Sequence, residues 1–311
     1  MTRRDVLRLG APLLVRPQTQ CAAPCQSDLA PRTAADYDAY LKKSRAQAEQ
    51  PLGSTLLDRV PANQRSEALR ILDGGQPYVW NLHKNRPNGA LAVYKGVIVD
   101  WIGAIRIPGI TLETFESVLS LYGSYKKLYR PYIFDCYARP IPGPGVKNFV
   151  VTSILHDVYE KPAPLVPDQH FSFEVMAESN YFRLGSGNTR TLLIRTHATS
   201  IREANSGHPE HADSRLKNNL LPAGRGQGVL WRSDTWWRAI ETGFGLYAEY
   251  QSLSLARSLE GVEFFSLCSV LRLPVLKDKA LESMTERPRK TVLSVITNTR
   301  TACESAVPAG A

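Results

Sequence analysis

Trp231, Trp236 and Trp237 fall within seven positions of a chain that has five tryptophans, and Arg232, Asp234 and Arg238 are threaded between them. Aromatic rings interleaved with guanidinium groups could stack nucleobases along a phosphate track, or the rings could wall a small-molecule pocket. Strand parity separates these chemistries. In an extended segment Trp231, Ser233, Thr235, Trp237 and Ala239 share one face, and Arg232, Asp234, Trp236 and Arg238 share the other. Two of the three rings are thereby divided from the arginines, which makes a poor single-strand platform, so no nucleic-acid partner is expected. The charged side is too polar for a dry interior and is expected to be the convex, wet one. In the next segment Leu246, Ala248, Tyr250, Ser252 and Ser254 share a face, with Tyr247, Glu249 and Gln251 opposite. Glu249 is placed to pair across strands with Arg232 or Arg238. Upstream, Leu192, Ile194, Thr196, Ala198 and Ser200 alternate with Arg195 and His197. Small hydroxylated residues beside large rings leave volume, and an apolar wall with a few hydroxyls is the make-up of a ligand pocket; the alternative is that the tryptophans merely fill a core. The candidate ligand-binding residues are Trp231, Trp237, Ser233, Thr235, Thr196 and Tyr250. The two tryptophans would bracket a hydrophobic molecule, and Ser233, Thr196 and Tyr250 would orient it.

Other chemistry is less well supported. His208, Glu210 and His211 stand together in a polar loop, but the histidines are three apart across Pro209, and no metal is assigned. No G-x-S-x-G occurs, so a serine hydrolase is unsupported. The glycines of 185–190 and 224–228 precede strand patterns and not a helix N-terminus, so they read as turns and not as phosphate cradles. No catalytic residue and no cofactor are assigned; Glu174, His156 and Asp100 are the strand-borne groups that an enzyme of cyclase or hydrolase type would draw on. Cys21, Cys25, Cys136, Cys268 and Cys303 are too scattered for a disulfide scaffold and read as free or buried thiols.

The net charge of +9 is dispersed, with dense runs only at Lys42-Lys43 and from Arg287 to Lys290. It leaves room for peripheral contact with an anionic membrane, while no stretch approaches the ~18 apolar residues of a spanning helix. Arg3-Arg4, followed by Asp5 and the apolar Val6-Leu7, resembles a twin-arginine export signal whose apolar region is cut short by Pro12 and Arg16. An exported, periplasmic location is the expectation, with a cytoplasmic one as the alternative. Oligomeric state is not legible.

These residues need elements to hold them. Residues 1–32, with four prolines, read as signal and linker; 33–89 as a helical extension; 90–304 as the main domain; and 305–311 as a tail. Helices are expected over 33–49 and 63–72, the second ending at Gly74-Gly75. A long β-branched run over 91–109 is followed by a short helix capped by Thr111, whose apolar face is Leu112, Phe115, Val118, Leu119 and Tyr122, and by a second over 124–130. Strand patterns joined by Gly-, Pro- or Asn-bearing turns then lead to a terminal helix with Pro288 at its first position. Its stripe is Val292, Val295, Ile296, Thr299 and Cys303.

This order of strand, two helices, about six antiparallel strands and a long helix resembles the helix-grip fold of the START-like (SRPBCC) superfamily, over residues 90–303. The motifs WIGAIRIPG, YGSYKKLYRP and PRKTVLSVITNTR are similar to those of a bacterial branch of it. The resemblance implies an α+β fold, with a seven-stranded curved antiparallel sheet wrapped around the C-terminal helix. It also implies a cavity between the two for an apolar ligand such as a lipid or polyketide. A structural or interaction module of the cell envelope is the reading if that cavity is filled.

Overall fold

The structure, a computed structural model, describes residues 28–50, 57–86, 89–159, 169–185, 190–204, 219–226, 228–243, 245–257 and 274–306. The alanine-rich N-terminal run forms α1 (Pro31–Ala48), opened by a proline where the missing N–H has no intrahelical partner to lose. Helix α2 (Ala62–Asp73) stops at two glycines, the second with φ 72°. The β-branched run from residue 91 is two strands, β2 (Leu91–Val93) and β3 (Gly96–Ile107), because the chain reverses at Tyr94-Lys95. A further strand, β1 (Tyr78–Asn81), pairs with β3 along the same edge as β2.

Thr111 caps α3 (Leu112–Ser120), accepting the backbone N–H of Thr114 at 3.2 Å. The expected apolar face of α3 is buried throughout, and a short α4 (Tyr125–Leu128) follows. Strands β4 (Ile133–Pro140), β5 (Lys147–Tyr159), β6 (Gln169–Leu184), β7 (Thr191–Glu203), β8 (Arg232–Thr242) and β9 (Gly245–Arg257) complete an antiparallel sheet. The order is β1-β3-β9-β8-β7-β6-β5-β4, with β2 also on β3. The expected seven strands are β3 to β9; two short ones, β1 from the N-terminal segment and β2 from the start of the main domain, add to them.

The terminal helix, α5 (Pro274–Ala306), corrects one expectation. Pro288 lies inside it, and Pro274 stands at its start. An interior proline removes one hydrogen bond and kinks the helix. Beyond it the expected stripe is seated: Val292, Ile296, Thr299 and Cys303 are all fully buried. The helix packs chiefly on β3, at a place where Gly103 makes room. A Cβ there would stand 2.7 Å from Val292 Cγ1 and 2.9 Å from Ile296 Cδ1.

The opposite face of the sheet overturns the expectation of a wet side. Asp100, Asp234, Arg238, Glu249 and Gln251 all lie there, and none is more than 3% exposed. They are covered by α1, α2 and the turn at 57–60. Buried charge is tolerated only when it is paired and hydrogen-bonded, and the N-terminal segment supplies the partners. Of the two arginines that parity offers Glu249, Arg238 is the one that pairs with it, and Arg59 adds a second guanidinium 3.0 Å from the same carboxylate. Tyr37 donates to Asp234 at 2.7 Å, and Tyr40 to Asp100 at 2.9 Å. Apolar packing of Tyr37 with Leu253 and Leu255, and of Leu57 and Leu72 with Ile102 and Tyr247, encloses the layer.

Candidate functional site

On the α5 side, the sheet and the helices leave a cavity of about 340 Å³. Strands β5 to β9 make its floor. The Leu119–Ile133 segment walls one side, and Arg287, Pro288, Thr291 and Val295 of α5 wall another. Because side chains alternate along a strand, β6, β8 and β9 contribute every second residue. From β8 these are Ser233, Thr235 and Trp237; from β9, Tyr250, Ser252 and Ser254.

Five of the six candidates, Trp237, Ser233, Thr235, Thr196 and Tyr250, therefore line one space. Trp237 is clamped, with its ring 5.3 Å from Phe115 edge-on and 4.8 Å from Tyr250. Trp231 does not join them, which corrects the bracketing pair. It donates its backbone N–H to Leu255 O at 2.8 Å, yet Leu255 is already paired with Arg232. That extra residue breaks the alternation, as a bulge does, so Leu230 lines the cavity while the Trp231 ring packs under α1 with Tyr37 and Trp236. A second irregularity sits on β7. Ala198 pairs with Ala177 but Ser200 with Met176, so Thr199 is the extra residue. Ser200 is thereby moved off the cavity side, and Ile201 is buried there with Phe173 and Val175.

Sequence parity missed the wall opposite the floor, which is rich in tyrosine. Tyr122, Tyr125 and Tyr129 recur at helical spacing, and Tyr132 and Tyr181 face the same space; that spacing is the signal that could have found them. Tyr122 and Tyr181 join hydroxyls at 2.9 Å, Tyr125 donates to Leu119 O at 2.6 Å, and Tyr129 meets Thr299 at 2.8 Å. Burial is the largest influence on each phenol. It pushes Tyr250 up to about 12 and holds Tyr122, Tyr125, Tyr129 and Tyr181 above the ordinary value. These groups stay protonated at neutral pH and act as neutral hydroxyls. Cys136 is likewise a thiol, pushed up to about 11 by burial and touched by Ser153 at 3.3 Å.

Of the three strand-borne titratable candidates, only His156 touches the cavity, and its Nδ1, 3.3 Å from Ser172 Oγ, lies on the Glu174 side of the β5–β6 pair. Glu174 is on the other face, bonded to Arg202 at 3.1 Å. Burial pushes Asp100 up to about 6, the kind of shift that a buried acid shows, but it lies under α1 among Tyr40, Ser44 and Gln251. Among the described residues no His, Cys, Asp and Glu cluster could hold a metal, and no helix is long and apolar enough to cross a membrane. The His208–His211 loop, Cys21, Cys25, Cys268 and the twin-arginine-like segment lie outside the described residues.

The β3 strand, two helices, six antiparallel strands and a long helix seated on β3 beside a cavity are the helix-grip order. The fold of this chain is START-like. Solved structures resemble it distantly. The STAR-related lipid transfer protein of Xanthomonas axonopodis is 11% identical, with a TM-score of 0.36 and coverage of 69% of this chain and 97% of that one. The Zhui aromatase/cyclase of a Streptomyces species is 12% identical, with a TM-score of 0.39 and coverage of 69% and 97%. Human STARD10 is 11% identical, with a TM-score of 0.32 and coverage of 78% and 84%. No protein-family model and no curated protein matches the sequence. The START-like assignment therefore stands on strand order and on the seat of α5.

Proposed function

We propose that this START-like chain binds and carries a hydrophobic small molecule, a lipid or polyketide-like compound, in the cavity between sheet and α5, without altering it chemically. The observation that carries this reading is the 340 Å³ void beneath Trp237 and Tyr250. Protein interiors are close-packed, and a void of that size costs stability that interlocking aliphatic side chains would recover. The volume lies in the range of small-molecule pockets. Binding is favoured over catalysis because the residues of β6, β8 and β9 that line the cavity carry apolar side chains and neutral hydroxyls. Export of the chain by the twin-arginine route and contact with an anionic membrane surface are part of the same proposal, and N-terminal sequencing of the mature protein checks the first.

Trp237 makes the binding testable. Delipidated protein titrated with a panel of apolar ligands is expected to change its tryptophan emission saturably, and Trp237→Phe to lose most of that change. No saturable change for any ligand, with melting curves equally unmoved, would count against the proposal.

A further inference from the structure

The pairing register aligns the cavity-facing residues of β6 to β9 into rows that run across the strands. Thr235 is paired with Ser252 on one side and with Thr196 on the other, and Thr196 is paired with Ser179. All four line the cavity. Four hydroxyls thus cross four adjacent strands, and at about 4.8 Å per strand the row is roughly 14 Å long. Two residues further along each strand lies a second row of Tyr250, Trp237, Ile194 and Tyr181, which also face the cavity. On the other flank Ser233 pairs with Ser254, and Ala198 with Ala177. The floor is striped: a bulky, mostly aromatic row, a hydroxyl row and a row of small residues.

One bond runs along the row, Ser179 Oγ lying 2.9 Å from Thr196 Oγ1, while Thr235 and Ser252 stand beside the Tyr250 hydroxyl and favour its charged form. A hydroxyl donates once and accepts twice, so such a row keeps unused acceptors along its length. An acyl chain laid over it would shut those oxygens away from water without replacing the lost bonds, which is unfavourable. A flat ring system is different. Its face can rest against Trp237 and Tyr250 while oxygens along one edge bond the row.

We propose that the ligand is a rigid, fused-ring molecule carrying hydroxyl or carbonyl oxygens along one edge, held across the strands by the row Ser252, Thr235, Thr196 and Ser179. The inference rests on the cavity being a ligand chamber, and the test separates the two. Three probes are titrated against the full chain, read by tryptophan emission: a dihydroxyanthraquinone, anthracene as the hydrocarbon of the same outline, and oleate. The dihydroxyanthraquinone binds tightest. Thr196→Val and Thr235→Val, which keep shape and remove one hydroxyl each, weaken it roughly tenfold, the worth of one good hydrogen bond. Anthracene binding is unchanged in both variants. If anthracene or oleate binds as tightly as the dihydroxyanthraquinone, or if the valines weaken all three alike, the row is not a recognition element, although the chamber stands. If none of the three binds, both readings fall together.

Discussion

Strands β8 and β9 serve two different interiors from alternate residues. One side presents Ser233, Thr235, Trp237, Tyr250, Ser252 and Ser254 to a space of about 340 Å³. The other presents Asp234, Trp236, Arg238, Glu249 and Gln251, none more than 3% exposed, to α1 and the 57–60 turn. Polar groups inside a protein need partners. On the charged side the chain brings its own, from Tyr37 to Arg59. On the cavity side Ser179 and Thr196 bond each other, and the hydroxyls line a cavity. The side that reads as solvent-facing is thus already occupied, and the side that reads as core is the one left open to a guest.

The sharpest way to break this contrast is Glu249→Ala. Burial raises the cost of that charge, but Arg238 and Arg59 outweigh it and hold the carboxyl below its usual value. Removing it takes the shared carboxylate from two buried guanidiniums, leaving Arg238 with the partly exposed Asp58 and Arg59 with the neutral Gln251, and about 3–5 kcal/mol of stability should be lost in urea unfolding. Glu249 also fixes a sign. Its folded value is depressed, so its contribution is full above the ordinary 4.5 and is lost as pH falls through the folded value.

Asp100 runs the other way and gives a smaller effect. Its folded value is raised from 3.8 to about 6, chiefly by burial. Folding takes up a proton in that window, so the stabilisation is full below 3.8 and disappears as pH rises through about 6. Set against Asp100→Asn, the wild-type urea midpoint should therefore decline across that window. A constant difference between the two curves would mean that Asp100 does not titrate there.

Smallest of all should be the cavity side. Thr235→Val removes a hydroxyl whose neighbours keep other partners, and it should shift stability by no more than about 1 kcal/mol. A loss as large as that of Glu249→Ala would make the hydroxyl row a structural network like the charged one, and the contrast between the faces would collapse.

How far these two sides were legible follows from the physics of each. Alternation is local, so β8, β9 and most of β7 reveal which residues share a side; parity offers Glu249 either Arg232 or Arg238, and the register chooses Arg238. The bulges at Trp231 and Thr199 are single-residue insertions without a composition signature, and each inverts the facing of its neighbours. The burial of the charged side depends on contacts such as Arg59 with Glu249, 190 positions apart, which no periodicity encodes. Pro288 misleads for a related reason: a proline marks a helix start unless packing on both sides carries the helix through it.

Native mass spectrometry of the purified chain beside Ser252→Phe decides whether the cavity holds a guest, because phenylalanine would fill the space above the hydroxyl row. Wild-type protein, as purified or after incubation with a fused-ring ligand, should carry one small molecule per chain. The variant, melting as cooperatively as wild type, should carry none. Wild-type protein that stays bare under both conditions, or a variant that holds the same adduct, would contradict a guest in this cavity.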